Sequence, residues 1–127
     1  MVLVFSMASE SSTGPGQLRV YHLALDLCDE VEAIVKRARC PRSLKDQAVR
    51  CAQSIVLNIA EGAGHMSPGK KIYHYQLGHG ESWECIAALS RIKKADRRSH
   101  TTGANHKAKL VSRSLTSLIR KWETHRK

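Results

Sequence analysis

Aromatic side chains make up only 5% of this 127-residue chain, and it holds just three prolines. Val, Ile and Thr do not alternate with polar residues over any long run, which argues against a β-sandwich. Long apolar runs are missing too: no stretch approaches the ~20 residues that a membrane span needs. The opening MVLVF is too short for the apolar core of a signal peptide, and no basic segment precedes it. The four cysteines, Cys28, Cys40, Cys51 and Cys85, form no CxxC pair. Three of them fall on apolar helical positions, which suits small thiols buried in a reducing cytoplasm better than disulfides or zinc. The seven histidines show neither HExxH nor a Cys/His cluster, so no metal or cofactor is expected.

Acid is scarce in one place. Residues 1–90 hold 9 Lys/Arg and 9 Asp/Glu, whereas residues 91–127 hold 12 Lys/Arg against Asp96 and Glu123. The whole net charge of +10 therefore lies in the last 37 residues, 12 minus 2. Such asymmetry points to a polyanionic partner, nucleic acid or an anionic surface. A solvated face that aids solubility is the plainer alternative.

What the chain does have is helical periodicity. Residues 1–16, rich in Ser and Gly, read as a disordered leader, with Met1 and Met7 both open as the start. One domain then covers 17–127. Helix 1 is expected from Leu18 to Arg39, on a stripe through Val20, Leu23, Ala24, Leu27, Val31 and Ile34. Pro41 ends it. Helix 2 is expected to start on an N-cap at Ser43 and to stop at Gly62 and Gly64. Its seam reads Leu44, Ala48, Cys51, Ile55, Asn58, Gly62, a heptad spacing. Helix 3 should be capped by Ser67, with Pro68 in its first turn, and run to Arg97. The spacing puts Ile72, Tyr75 or Gln76, His79, Trp83, Ile86 and Ser90 on one face. Gly78 and Gly80 inside it imply close approach by a neighbouring helix or subunit. Helix 4, from Ala104 to Thr124, has a seam of Ala104, Ala108, Val111, Leu115, Leu118 and Trp122. The expected fold is an all-α, antiparallel up-down-up-down four-helix bundle.

The stretch SIVLNIAEGAG, Ser54–Gly64, breaks the apolar pattern with Asn58 and Glu61. A polar residue on a seam can fix register at a cost in stability. Arg50, Ser54, Asn58, Glu61, His79 and Glu84 are read as a structural polar network, with His79, Arg50 or a backbone N–H as partner of the Glu61 carboxylate. The catalytic alternative, a Glu61 or Glu84 acid/base with His79, has no recognisable constellation behind it. The Glu-x-x-His pairs of di-iron bundles are absent, as are a phosphate-binding glycine loop and a nucleophile elbow.

Three segments, QLRVYHLALDLCDEV, QAVRCAQSIVLNIAEGAG and LGHGESWECIAAL, resemble the four-helix bundle family first met as products of intervening sequences in bacterial large-subunit rRNA genes. The same family includes the accessory variability protein of diversity-generating retroelements. Leu18, Val20, Tyr21 and Ala24 match its helix 1 opening. Arg50, Ser54, Ile55, Asn58, Ile59, Ala60, Glu61 and Gly62 match its helix 2 motif. In helix 3, Gly80 and Glu84 match a G-S-x-x-E element, with Glu81 replacing the Ser. The resemblance implies an antiparallel bundle that assembles as a ring, often a pentamer. It also implies a basic surface, no enzymatic activity, and in the retroelement member a reverse transcriptase as partner.

Two functions follow. The first is a non-enzymatic, oligomeric bundle in which Lys93, Lys94, Arg97, Arg98, Lys107, Lys109, Arg113, Arg120 and Lys121 meet phosphates with little sequence specificity. No recognition helix or aromatic platform is present to read bases. The second is an adaptor that docks an acidic protein partner on the same face.

Overall fold

The computed structural model describes residues 14–126, so most of the expected leader lies outside the described residues. Four helices follow one another: α1 Gly14–Arg37, α2 Arg42–Gly64, α3 Pro68–Ala95 and α4 Thr102–Thr124. Each packs against the next in sequence, α4 closes back on α1, and no diagonal pair makes close backbone contact. Side chains fix the directions. At one end the Tyr75 hydroxyl of α3 donates to Gln17 Oε1 of α1 at 2.6 Å. Lys71, also near the start of α3, reaches the last carbonyls of α2 and sits 5.1 Å from the Trp122 ring near the end of α4. At the other end, Arg39 N–H, just past α1, donates to Asp96 Oδ2, just past α3, at 2.8 Å. Helices α1 and α3 therefore run one way and α2 and α4 the other, the topology that short connections impose.

Helix limits follow local chemistry, with three departures from expectation. Helix α1 starts at Gly14, with Pro15 in the first turn, where its missing N–H costs nothing. Ser43 is not the N-cap of α2: Pro41 holds that position without a side-chain cap, and its carbonyl accepts from Leu44 N and Lys45 N. The expected cap at Ser67 does form, its Oγ accepting from Lys70 N at 3.3 Å. The third departure is Gly62, which packs rather than terminates. An added Cβ there would lie 2.8 Å from Cδ1 and 2.9 Å from Cζ of Tyr75. Helix α2 ends where His65 turns to extended backbone, and the buried Lys71 amine donates to Gly62 O at 3.0 Å and Ala63 O at 3.2 Å. Two otherwise orphaned C-terminal carbonyls are satisfied that way. Burial, followed by the nearby Lys121 charge, lowers the Lys71 pKa.

The seams of α2 and α4 are buried as their spacing predicts, except that Asn58 and Trp122 are half-buried. The α3 face needs correcting. Lys71, Ile72, Tyr75, Gly78, Ser82, Cys85, Leu89 and Ile92 are buried, while Trp83 is 54% exposed. Apolar residues on both faces and a lysine inside blur the pattern on this helix. Gly78 is the close approach expected of it: a Cβ would lie 3.3 Å from Leu115 Cδ1 and 3.6 Å from Asn58 Cβ. Gly80 has nothing within 4 Å.

The cysteines are all free, and three are buried in the core. Burial, with the Glu32 carboxylate adding to it, pushes the Cys28 thiol up to about 11. Burial and Glu81 push Cys51 to about 11, and burial carries Cys85 to about 12, against a usual 9.0. The native fold thus keeps protons that the unfolded chain releases above pH 9. The stabilisation is complete below that pH and is lost as pH rises through about 11. Urea midpoints should fall between pH 8 and about pH 10.5. Cys85→Ala should lower the midpoint at pH 8 but make the alkaline fall shallower. An equally steep fall in the variant would refute this assignment.

Candidate nucleic-acid interface

The cations expected to meet phosphate separate into free and committed groups. Lys94, Arg97, Arg98, Lys109, Arg113, Arg120 and Lys121 are exposed. Lys109, Arg113 and Arg120 share one outward stripe of α4, at i, i+4 and i+11. Lys121 Nζ lies 5.4 Å from the Trp122 ring. Lys93, though exposed, donates to Arg97 O and Ser99 O at 2.7 Å each, and so holds the α3–α4 connection. Lys107 hydrogen-bonds and ion-pairs with Glu30 of α1, which raises its pKa.

The up-down topology also gathers cations that sequence position separates. Lys36, Arg37, Arg39 and Arg42 are exposed at the bundle end that carries Lys94, Arg97 and Arg98. An open cleft of about 440 Å³ lies at this end, lined by Arg37, Arg39, Arg98 and His100 and by the acids Glu30 and Asp96. Both acids are committed. Glu30 pairs with Lys107, and Asp96 accepts from the N–H groups of Arg39 and Arg98. Those backbone bonds, Arg39 first, hold the Asp96 carboxyl below its usual range. None of the three guanidinium groups forms a salt bridge among the described residues, so the cleft presents positive charge. Scanning by sequence position missed Arg37, Arg39 and Arg42. The signal was the basic end of α1, which antiparallel packing carries to the end of α3.

The polar strip of α2 takes a different form from the one expected. Asn58 Nδ2 donates to Ser54 O at 3.0 Å and to Ser54 Oγ at 3.2 Å. With its amide nitrogen so used, Asn58 Oδ1 accepts from His74 Nδ1 at 3.3 Å. Glu61 is exposed and meets His65 Nε2 at 3.8 Å. The His65 and His74 rings stack at 5.0 Å and 14°. His79 pairs with none of these. It lies five residues beyond His74, about 140° further round α3, and Ser82 Oγ donates to its carbonyl at 2.6 Å. Arg50 and Glu84 belong to a second group with Glu81 and Cys51. There the Glu81 charge is the main cause raising the Glu84 pKa, and Arg50 opposes it.

Apolar side chains face solvent on α3 and on α2. Leu57 is 65% exposed, Tyr73 58%, Leu77 41% and Trp83 54%. Tyr73, Leu77, Gly80 and Trp83 step by 4, 3 and 3, one continuous ridge of α3 with the bare Gly80 within it. Among the described residues, no helix is long and apolar enough to cross a membrane.

A sequence profile of the family described as 23S rRNA-intervening sequence protein matches residues 16–117, which span all of α2 and α3 and most of α1 and α4. No curated protein and no solved structure gives a significant match.

Proposed function

The chain belongs to the 23S rRNA-intervening sequence protein family, and from that premise we propose that it is a non-enzymatic, homo-oligomeric nucleic-acid-binding bundle of the cytoplasm. The observation that carries this reading is the run of uncompensated cations from the end of the bundle to the outer stripe of α4. Arg37, Arg39, Lys94, Arg97 and Arg98 engage phosphates at the end, and Lys109, Arg113, Arg120 and Lys121 continue along the helix. These contacts position the nucleic acid without reading bases. The raised pKa values of Cys28, Cys51 and Cys85 describe protonated thiols rather than activated nucleophiles. A reverse transcriptase is the partner of the retroelement member that the resemblance includes. Fluorescence anisotropy with random RNA and duplex DNA tests the binding. Absence of binding at about 50 mM salt, with capture of an acidic polypeptide on the same face, would transfer the cations to the adaptor reading.

Assembly rests on the ridge of Tyr73, Leu77, Gly80 and Trp83. A solvated mid-helix glycine costs about 0.5–1 kcal/mol against alanine, and the single chain shows no contact that requires one at position 80. A neighbouring subunit would supply the contact, and a ring of five is favoured by the family resemblance. Light scattering after size exclusion should give a mass well above the 14.2 kDa of one chain. Trp83→Glu and Gly80→Val should each return it towards that value while leaving helical content intact. A wild-type monomer at tens of micromolar would remove the ring.

A further inference from the structure

We propose that Glu61, His65 and His74 form a binding site for a divalent first-row transition ion of the zinc class. One carboxylate oxygen of Glu61 and one nitrogen of each ring lie within 4.8 Å of one another. Glu61 and His65 are one turn apart at the end of α2, and His74 comes from the facing flank of α3. Two imidazoles and a carboxylate are a donor set that suits zinc and its neighbours, with bonds of about 2.0–2.2 Å. Contracting the set to those lengths takes a rotamer change of the exposed Glu61 and rotation of the His65 ring, which lies just past the end of α2, out of its stack on His74.

A second observation supports the set. Asn58 accepts a hydrogen bond from His74 Nδ1, which puts the ring proton on that nitrogen and leaves the Nε2 lone pair free. Orientation of a ligand histidine through its other nitrogen is a regular part of metal sites. Asn58 is itself held by two bonds to Ser54, so the ring is positioned through a fixed amide. Asn58 is thus a positioning residue in this site. The other convergent group, Cys51, Glu81 and Glu84, fits an ion less well: the Cys51 thiol is fully buried and its pKa is pushed up to about 11, so it is held protonated and is a poor ligand.

Glu61 is 61% and His65 34% exposed at the side chain, so an ion held here keeps a position open to water or to a ligand from outside. It also joins the last turn of α2 to the second turn of α3, across the connection of residues 65–67.

Sequence spacing hides the site, because the third ligand lies nine residues beyond the second. Equilibrium titration of the full-length protein with Zn²⁺, and with Co²⁺ read by its visible d–d absorption, tests it. One equivalent should bind at pH 7.5 and weaken on acidification, since protons compete for the same lone pairs. His74→Ala and His65→Ala should each weaken binding by at least tenfold. Asn58→Ala should weaken it by about tenfold, the usual consequence of losing a ligand's orienting partner. Glu61→Gln, at an exposed position, should leave the fold intact and still weaken the ion, which separates ligand loss from misfolding. Binding that survives both His65→Ala and His74→Ala at wild-type affinity would overturn the proposal. So would the absence of a saturable first equivalent.

Discussion

Binding to random-sequence nucleic acid should weaken by roughly a thousandfold when salt rises from ~50 to ~200 mM. The estimate takes six of the nine exposed cations assigned to this face, none with a carboxylate partner, as meeting phosphate in any one complex. If each neutralises one phosphate, counterion release gives a log–log slope near −0.9 × 6, or about −5, on duplex DNA and a shallower one on single strands. The structure also selects the variants. Lys93→Glu would break two bonds that hold the α3–α4 connection, so loss of binding there would be ambiguous. Lys107→Glu would set two carboxylates against each other at Glu30. The clean test is Lys94→Glu, Arg97→Glu and Arg98→Glu together, which should abolish binding with no change in helical content. Arg37→Ala and Arg39→Ala should each reduce the slope by about 1 if the cleft end takes part. Changing nucleotide sequence should matter far less than changing salt. A slope near zero would rule out phosphate contact by this face.

Gly62→Ala should destabilise the bundle by about 1–3 kcal/mol, the usual cost of overpacking a filled core. Helix propensity alone would give the opposite sign, a gain of about 1 kcal/mol. Sterics win because the ring in the way cannot retreat. Tyr75 is fully buried, and its hydroxyl is tied to Gln17. A loss of that size should lower the melting temperature by ~5–15 °C. Tyr75→Leu should be costly by itself, since it empties buried volume and removes the hydroxyl that donates to Gln17 Oε1. In the double variant the two costs should fall short of additive, because the smaller side chain makes room for the new methyl. Equal melting of Gly62→Ala and wild type would contradict the packing described.

Asn58 and Gly62 show how far the sequence could be read. Both stand in one recognisable motif, and the α2 seam gave the helix and its core face correctly. The motif could not say that the glycine serves Tyr75, thirteen residues on, because that contact exists only once α2 and α3 are antiparallel. Glu61 was expected to find His79, Arg50 or a backbone N–H and instead meets His65, four residues on and just past the end of its own helix. Helix α3 was the hardest to read. A buried lysine has no meaning in a hydrophobic pattern until the carbonyls it caps are in place, and Trp83 counts as core in any pattern although it faces solvent. The basic face was legible in the last 37 residues, but Lys93 and Lys107 are occupied within the fold and Arg37 and Arg39 join from α1. Charge counting cannot see which cations are spent, or which are brought together by a reversal of chain direction.

The antiparallel order has a practical consequence for how the molecule can be held. Gly16, near the start of α1, lies beside Leu118 in the last turns of α4: a Cβ there would come within 3.8 Å of Leu118 Cδ2. Both ends of the described chain thus emerge at the Tyr75–Gln17 end, and Arg39, Asp96 and Arg98 lie at the far one. Helix α4, 23 residues long, sets the separation at about 35 Å. A fluorophore or surface tether attached at Gly16 or Arg126, both exposed, therefore stands about a helix length from the arginine cleft, and a protein immobilised that way presents the cleft outward.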